Sequence, residues 1–235
     1  MPDELNALSA LTRLVLEEFD DDETETRLPR SLAGLTSLRK LEMTYYALPS
    51  VPAFVGTLSA SLRSLNLSHS YMGDASAPHY GFRAAFPSMT ALTALDLSHS
   101  GLTSVPPAVL SKMSALRSFK LSKNRLTTLP EDLGFGLRHL REIDLSENSL
   151  SSVPRALASA TTLEVIDLSR NRFQVESSLV STFAWLPKLG LLKMRKLPPS
   201  SWTPFSRTHL SVLAAKLRAR DRLFERAATK VVFED

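Results

Sequence analysis

The sequence contains no cysteine and no apolar run that approaches the length of a membrane span. A spanning helix needs about 20 apolar residues, and secreted repeat proteins usually carry disulfides. The start of the chain has Asp3 and Glu4 and lacks the charged and apolar regions of a signal peptide. We therefore expect a cytoplasmic protein, or one from a continuous compartment such as the nucleus or cilium, that is not secreted.

Glycine is also scarce, with 8 residues in 235, and no phosphate-binding loop motif is present. Without cysteine the chain has no thiol for covalent catalysis. The remaining composition, 43% hydrophobic and 22% charged, is ordinary for a globular protein with a sizeable core. We expect no catalytic activity, no cofactor and no small-molecule substrate.

The charge is unevenly distributed, although the net charge of the chain is only +4. Residues 1–26 hold nine acidic side chains against Arg13, a net charge of −8, so the rest of the chain carries +12. Such polarity is typical of proteins that dock on charged surfaces in one orientation. A solvated surface that keeps an elongated protein soluble accounts for it equally well.

An L-x-x-L-x-L motif recurs eight times, starting at Leu11, Leu38, Leu62, Leu92, Leu116, Leu140, Leu163 and Leu189. Successive copies begin 27, 24, 30, 24, 24, 23 and 26 residues apart. Alternate side chains of a strand point to opposite faces, so the leucines point inward and the residues between them point outward. One copy cannot bury its own leucines, which predicts a stack of parallel strands with the core between neighbours.

The clearest copies end in asparagine, at Asn124, Asn148 and Asn171, and a half of the form L-x-x-L-P-x-x-L follows at residues 126–133. With these motifs the sequence resembles the leucine-rich repeat family, in its intracellular 23–24-residue form, over about residues 8–199. The resemblance implies an α/β solenoid with a curved parallel sheet on the concave face and short helical or 3₁₀ segments on the convex face. It also implies two parts, a solenoid of about eight repeats in residues 1–199 and a C-terminal helical cap in residues 200–235.

The three asparagines occupy the position where repeats of this family carry an asparagine ladder, and Ser70 and Ser100 occupy it in earlier repeats. Short polar side chains there bond backbone groups that are left unpaired at the end of a strand, the hydroxyls more weakly than the amides. Proline fixes φ and removes a donor, which favours short convex segments over long helices. The prolines in question are Pro29, Pro52, Pro106, Pro130 and Pro154.

Two insertions interrupt the repeats. The acidic segment 17–25 lengthens the first repeat and is either a solvated loop or a contact for a basic partner. Extra residues also lengthen the third repeat, and they are rich in the aromatic side chains that dominate interface hot spots. We therefore predict either partner contact or folding back onto the solenoid for Tyr71, Met72, His79, Tyr80 and Phe82.

Two histidines, His69 and His99, occupy equivalent positions in successive repeats. Neighbouring strands lie about 4.8 Å apart, so the two imidazoles should stand close together at the edge of the concave face. Asp96 lies near them, but no further sulfur or imidazole ligand is evident, so we expect a surface pair and not a zinc site.

After Pro204 the apolar residues Leu210, Leu213, Leu217, Leu223 and Phe224 recur near helical spacing. Ser206 or Thr208 is a candidate cap for the start of this helix. The helix should cover the last core layer. The alternative is a basic helix that binds a partner, RNA or an anionic surface, because the segment also carries Lys216, Arg218, Arg220, Arg222 and Arg226.

The outward strand positions carry both charge signs and one aromatic residue. We predict a partner-binding concave face that comprises Arg39, Lys40, Glu42, Tyr45, Arg63, Asn66, His69, Asp96, His99, Arg117, Lys120, Lys123, Asp144, Glu147, Asp167, Arg170, Lys193 and Lys196. Mixed charge argues against a nucleic-acid surface, where one basic stripe is expected. It suits a protein surface, on which charges set register and association rate.

The sequence therefore predicts a non-enzymatic protein–protein interaction module, most simply a scaffold or structural subunit of a stable multiprotein assembly. A signalling adaptor that regulates a phosphatase or small GTPase is the close variant that the resemblance implies. An RNA- or ribosome-associated protein is a third reading, favoured by the sequence pI of 9.5.

Overall fold

The leucine motifs form one parallel β-sheet in a computed structural model that describes residues 8–17, 30–46, 48, 51–70, 86–201, 206–223 and 230–234. Within these residues nine strands pair in chain order, each with the next. The strands are β1 Arg13–Glu17, β2 Lys40–Thr44, β3 Ser64–Asn66, β4 Ala94–Asp96, β5 Ser118–Lys120, β6 Glu142–Asp144, β7 Val165–Asp167, β8 Leu191–Arg195 and β9 Lys230–Glu234. The solenoid architecture expected from the repeats is confirmed.

Short helical segments return the chain from one strand to the next on the opposite side. The α-helices are α1 Phe54–Thr57, α2 Pro107–Leu110, α3 Leu133–Gly136, α4 Ser177–Phe183 and α5 Ser206–Leu223, and 3₁₀ helices cover Arg30–Gly34, Arg155–Ser159 and Pro199–Ser201. Pro106 and Pro154 stand in extended backbone directly before α2 and the second 3₁₀ helix. Proline cannot donate within a helix, which explains its place at the start of these segments. The segments themselves are short, as predicted.

The core runs without interruption between the sheet and the convex segments. The inward leucines of the motif, such as Leu140 and Leu145, are fully buried. Phe119 replaces a leucine in β5, and Phe173 and Phe183 fill the last layers. Since each layer is shared between two repeats, stability depends on every repeat having a neighbour.

The asparagine ladder predicted from the sequence is present. The Asn148 side chain donates to the carbonyl oxygens of Leu121 at 2.9 Å and Leu145 at 3.1 Å, and its oxygen accepts from the Leu126 amide at 3.0 Å. The amide therefore joins its own repeat to the preceding one. Asn124 and Asn171 make the same set of bonds.

The serines in this position bond more sparingly, as expected. The Ser70 hydroxyl donates to the Met43 carbonyl at 3.1 Å, and the Ser100 hydroxyl donates to the Leu67 carbonyl at 3.2 Å. Both serines are fully buried. The Ser70 hydroxyl thus replaces only the part of the asparagine that reaches the preceding repeat, while the Ser100 hydroxyl also lies 3.3 Å from the Ser98 carbonyl oxygen of its own repeat.

The C-terminal segment forms the predicted helix, α5, which packs on α4. Leu213 and Leu217 are buried against the core, while the buried Ser206 hydroxyl donates to the Val175 carbonyl at 3.0 Å. The strand that follows, β9, was not predicted, because residues 230–234 carry no L-x-x-L-x-L motif. It pairs with β8 through Leu191↔Lys230 and the four following positions.

Both predicted insertions fall largely outside the described residues. Only Glu17 of the acidic segment 17–25 is described. None of the residues predicted to matter in the loop of the third repeat is described, namely Tyr71, Met72, His79, Tyr80 and Phe82. Strands β3 and β4 on either side of that loop nevertheless keep the register of the other repeats, with Leu65 opposite Leu95.

Replacing Asn148 by alanine should lower the free energy of unfolding by about 2–4 kcal/mol, because buried backbone groups of two repeats lose their partners. Urea denaturation of the purified protein measures the change. Ser152→Ala at an exposed position should change it by less than about 0.5 kcal/mol. Equal effects of the two substitutions would contradict the ladder's role.

Replacing Gly134 by alanine should lower the free energy of unfolding by about 1–3 kcal/mol, because an added Cβ meets packed backbone. That Cβ would lie 2.6 Å from the Ala160 nitrogen and even closer to Ser159. Gly190 is the matched control, since its Cβ would lie 3.7 Å from the nearest atom, the Glu164 carbonyl oxygen. Thermal unfolding that shifts equally for Gly134→Ala and Gly190→Ala would refute the close-contact argument.

Candidate functional site

The strand register places the predicted partner-binding residues in parallel rows on the outer face of the sheet. The central row runs across neighbouring strands as Glu42, Asn66, Asp96, Lys120, Asp144, Asp167 and Lys193. A row of residues just before the strands includes Arg39, Arg63 and Arg117. All of the predicted concave-face residues belong to the described part of the chain, and their role in binding stays a prediction.

A third row lies at the opposite edge, two residues beyond the last inward residue of the second to eighth motifs. Its members are Tyr45, His69, His99, Lys123, Glu147, Arg170 and Lys196, and all seven have positive φ, between 51° and 67°. This left-handed conformation costs a non-glycine residue about 1–2 kcal/mol. Backbone hydrogen bonds to the next repeat offset that cost, as in His69 N–H to the Ser98 carbonyl at 2.9 Å. The sequence reasoning missed this feature, since none of the seven is glycine or asparagine.

The first three members of this edge row form an aromatic ladder, Tyr45–His69–His99. The Tyr45 and His69 ring centroids are 4.5 Å apart, and those of His69 and His99 are 4.1 Å apart, with nearly parallel planes. The predicted proximity of the two histidines is therefore present, and Tyr45 extends it. Tyr45 remains 47% exposed, so the ladder offers an aromatic surface to solvent.

Burial lowers the pKa of the His99 imidazole below its usual value of 6.5. The neighbouring His69 and Lys123 lower the pKa further, while Glu147 and Asp96 oppose them. Stacked imidazoles that are both protonated repel each other. The ladder is therefore favoured with His99 neutral.

Ion pairs form across the face, within one strand for Lys40 and Glu42 and between neighbouring repeats for the others. Glu42 bonds Arg13 at 3.0 Å and Lys40 at 3.1 Å. The hydrogen bond from Lys40 lowers the pKa of Glu42, burial opposes this, and Arg13 adds to the lowering. Further pairs are Lys120–Asp96 at 3.7 Å, Arg141–Glu164 at 3.4 Å, Arg170–Glu147 at 3.3 Å and Lys193–Asp167 at 3.4 Å. Exposed pairs of this kind contribute little to stability, but they hold the charges in a fixed pattern.

The carboxylates of the central row also have a local structural role that the sequence reasoning did not assign. One oxygen of Asp96 accepts from the Ser98 amide at 3.0 Å, and Asp144 and Asp167 bond Ser146 and Ser169 in the same way. Asn66 accepts from Ser68 at 2.9 Å. The recurring D-L-S tripeptide is a signal for this turn, because a short acceptor readily bonds the amide two residues on.

Neither a metal-binding cluster nor a membrane-spanning helix occurs in the described part of the chain. No group of three or more His, Cys, Asp or Glu side chains there is placed to hold a metal ion. Likewise, none of the helices in those residues is long and apolar enough to cross a bilayer.

Comparison with known proteins identifies the repeats and the fold. Residues 82–126 and 114–173 match the family model described as Leucine rich repeat. A search of curated proteins found no significant match. Among solved structures, an LRR protein of Leptospira interrogans is similar over 92% of this chain, with 21% identity and a TM-score of 0.66. An internalin from Listeria monocytogenes is similar over 78% of the chain, with 19% identity and a TM-score of 0.55.

At these identities the likeness shows the fold alone. The chain spans about half the length of both proteins, 50% of the first and 47% of the second. The partners of this chain therefore have to be argued from its own surface.

The free energy of unfolding should fall as the pH drops below about 6.5, because His99 has a lower pKa in the folded state than in the unfolded chain. The contribution of neutral His99 to the free energy of unfolding is fully present above the pKa that His99 has in the unfolded chain. It is lost as the pH falls through the pKa of His99 in the folded protein. Urea denaturation at pH 7.5 and 5.0 measures it, and His99→Gln should reduce the difference between the two pH values. A substitution at exposed His139 is the control. An imidazole NMR titration in which His99 has a pKa above 6.5 would contradict this assignment.

Proposed function

Because this chain is a leucine-rich repeat protein, we propose that it is a non-enzymatic module that holds a partner protein on its concave face. The observation that carries the proposal is the ordered array on that face, where charged and aromatic side chains follow one another at strand spacing. Such a surface offers many fixed contacts. The recesses that its described residues line are open to solvent, unlike the enclosed sites that bind small molecules.

The dimensions of the face support a protein partner. Eight strands at about 4.8 Å form a surface on the order of 35 Å across. An interface of standard size buries about 1,600 Å² in total, which such a surface accommodates. Mixed charge along the central row favours a shaped protein surface, since adjacent carboxylates oppose a continuous phosphate backbone.

The rigidity of the face supports a role in a stable assembly, as a scaffold or structural subunit. The asparagine ladder and the shared core fix the backbone beneath the exposed side chains. A preorganised surface loses little conformational entropy on binding, which favours a long-lived complex. The cytoplasmic location inferred from the composition stays a prediction.

Affinity purification of the tagged protein in mild salt, with lysine crosslinking and mass spectrometry, tests the proposal. We expect crosslinks from Lys40, Lys120, Lys123 and Lys193 to one or a few stoichiometric proteins. Lys120→Glu combined with Lys193→Glu should lower partner recovery by about fivefold or more, since charge reversal at an interface costs affinity.

The matched control lies in the helical segments, where Arg155→Glu in the second 3₁₀ helix combined with Arg207→Glu in α5 makes the same change of charge at exposed positions. This control should leave recovery unchanged. Recovery of the protein alone, crosslinks confined to the helical side, or association lost on nuclease treatment would each contradict the proposal.

A further inference from the structure

The outer face of the sheet has a shallow recess across strands β3, β4 and β5. One position in each strand carries a small side chain there, namely Ser64, Ala94 and Ser118, which are register partners. The same row has Lys40 on the side of β2 and Glu142 on the side of β6. Larger side chains thus bound a floor three strands wide. Lys40, Glu42, Asn66, Asp96 and Lys120 form its walls.

The two halves of the concave face differ in charge. From β2 to β5 the outward positions, from the residue before each strand to the left-handed edge residue, hold six cationic side chains and two carboxylates, a net charge of +4. These are Arg39, Lys40, Arg63, Arg117, Lys120 and Lys123, against Glu42 and Asp96. The same positions from β6 to β8 hold five cations and five carboxylates, a net charge of zero.

The carboxylates of the basic half are already engaged within the protein. Glu42 bonds Arg13 and Lys40, and Asp96 bonds Lys120. Three exposed cations on the margins of the recess, Arg39, Arg117 and Lys123, make no ion pair with any described residue. Arg63 donates one guanidinium N–H to the Ala91 carbonyl at 3.0 Å. The positive charge of this half is therefore available to a ligand.

From these observations we propose that the recess and its basic margins bind an extended, acidic segment of the partner protein. This inference rests on the proposed function and assigns the chemistry of the segment that is bound. The distance from β2 to β5 is three strand spacings, about 14 Å. An extended chain spans this distance with about four residues. Because the side chains of the floor are small, the backbone of such a segment fits above them. The carboxylates of the segment then meet Arg39, Arg63 and Arg117 on one margin and Lys123 on the other.

The aromatic ladder adds to the second margin. Tyr45, His69 and His99 present ring surfaces beside the recess, and apolar stems of acidic side chains pack on such surfaces. RNA fits this half less well. A phosphate backbone carries a charge at every residue, so some of its charges would lie over Glu42 and Asp96, whereas a peptide backbone is neutral and its carboxylates can be confined to the basic margins.

The test uses the full chain and a fluorescein-labelled decapeptide in which pairs of glutamates alternate with pairs of serines, so that an extended chain presents carboxylates on both sides. A peptide of the same pattern with glutamine in place of glutamate is the neutral reference. Fluorescence anisotropy at low salt should detect saturable binding of the acidic peptide and none of the neutral one. Lys123→Glu should raise the Kd by about tenfold, the usual scale for reversing a charge at a contact. Lys188→Glu is the matched control, because Lys188 is an exposed lysine between α4 and β8 that does not belong to the predicted partner-binding residues. It should change the Kd by less than about twofold.

A second pair of variants tests the recess itself. Ala94→Trp fills the floor and should abolish binding, whereas Val165→Trp places the same side chain in the same row at β7 and should preserve it. Thermal unfolding of both variants establishes that they are folded. A third variant, Arg117→Glu, keeps the test decisive if Ala94→Trp does not fold, and it should weaken binding like Lys123→Glu.

Equal losses for Lys123→Glu and Lys188→Glu would overturn the inference, because they would show general charge attraction. So would tighter binding of a uridine decanucleotide than of the acidic peptide. If the native partner crosslinks only to Lys193 while the acidic peptide does not bind, the inference fails and the proposed function stands. If no partner protein is recovered at all, the proposed function fails first.

Discussion

The stacking of one repeat on the next is the constraint on which the rest of the structure depends. A single repeat of about two dozen residues exposes its leucines and leaves backbone groups unpaired at the end of its strand. Both deficits are removed by a neighbour, through the shared leucine layer and through asparagines that bond carbonyls of two repeats at once. The outward side chains inherit their spacing from this stacking, so the geometry of the surface follows from the core.

The fold was largely predictable because the core positions are occupied mainly by one residue type, leucine, at regular intervals along the sequence. Leucines such as Leu116 and Leu140 gave the strands, their order and their register, and Asn124, Asn148 and Asn171 gave the ladder. β9 escaped prediction because it carries no copy of the motif. Its position is fixed by parallel pairing with β8. This pairing is a tertiary interaction, and the local sequence does not indicate it.

The surface was predictable only in part. Alternation placed Glu42, Asp96 and Lys193 outward, and repeat equivalence placed His69 beside His99. The left-handed backbone at the edge row and the contact of Tyr45 with His69 depend on hydrogen bonds between repeats, so residue types alone do not indicate them. The D-L-S tripeptide did carry a readable signal. Its aspartates serve the turn as well as the surface, and their charge alone overstates how free they are to meet a ligand.

The uniform backbone of the edge row has a consequence for how such a surface changes in evolution. At six of the seven positions the conformational penalty is offset by a hydrogen bond between main-chain atoms alone, as between His99 N–H and the Ser122 carbonyl. Tyrosine, histidine, lysine, glutamate and arginine all occupy this position in one chain. Exchanging one of these side chains for another therefore leaves the backbone unaltered. The recognition surface can change in evolution by single substitutions at the edge row, without a compensating substitution in the core.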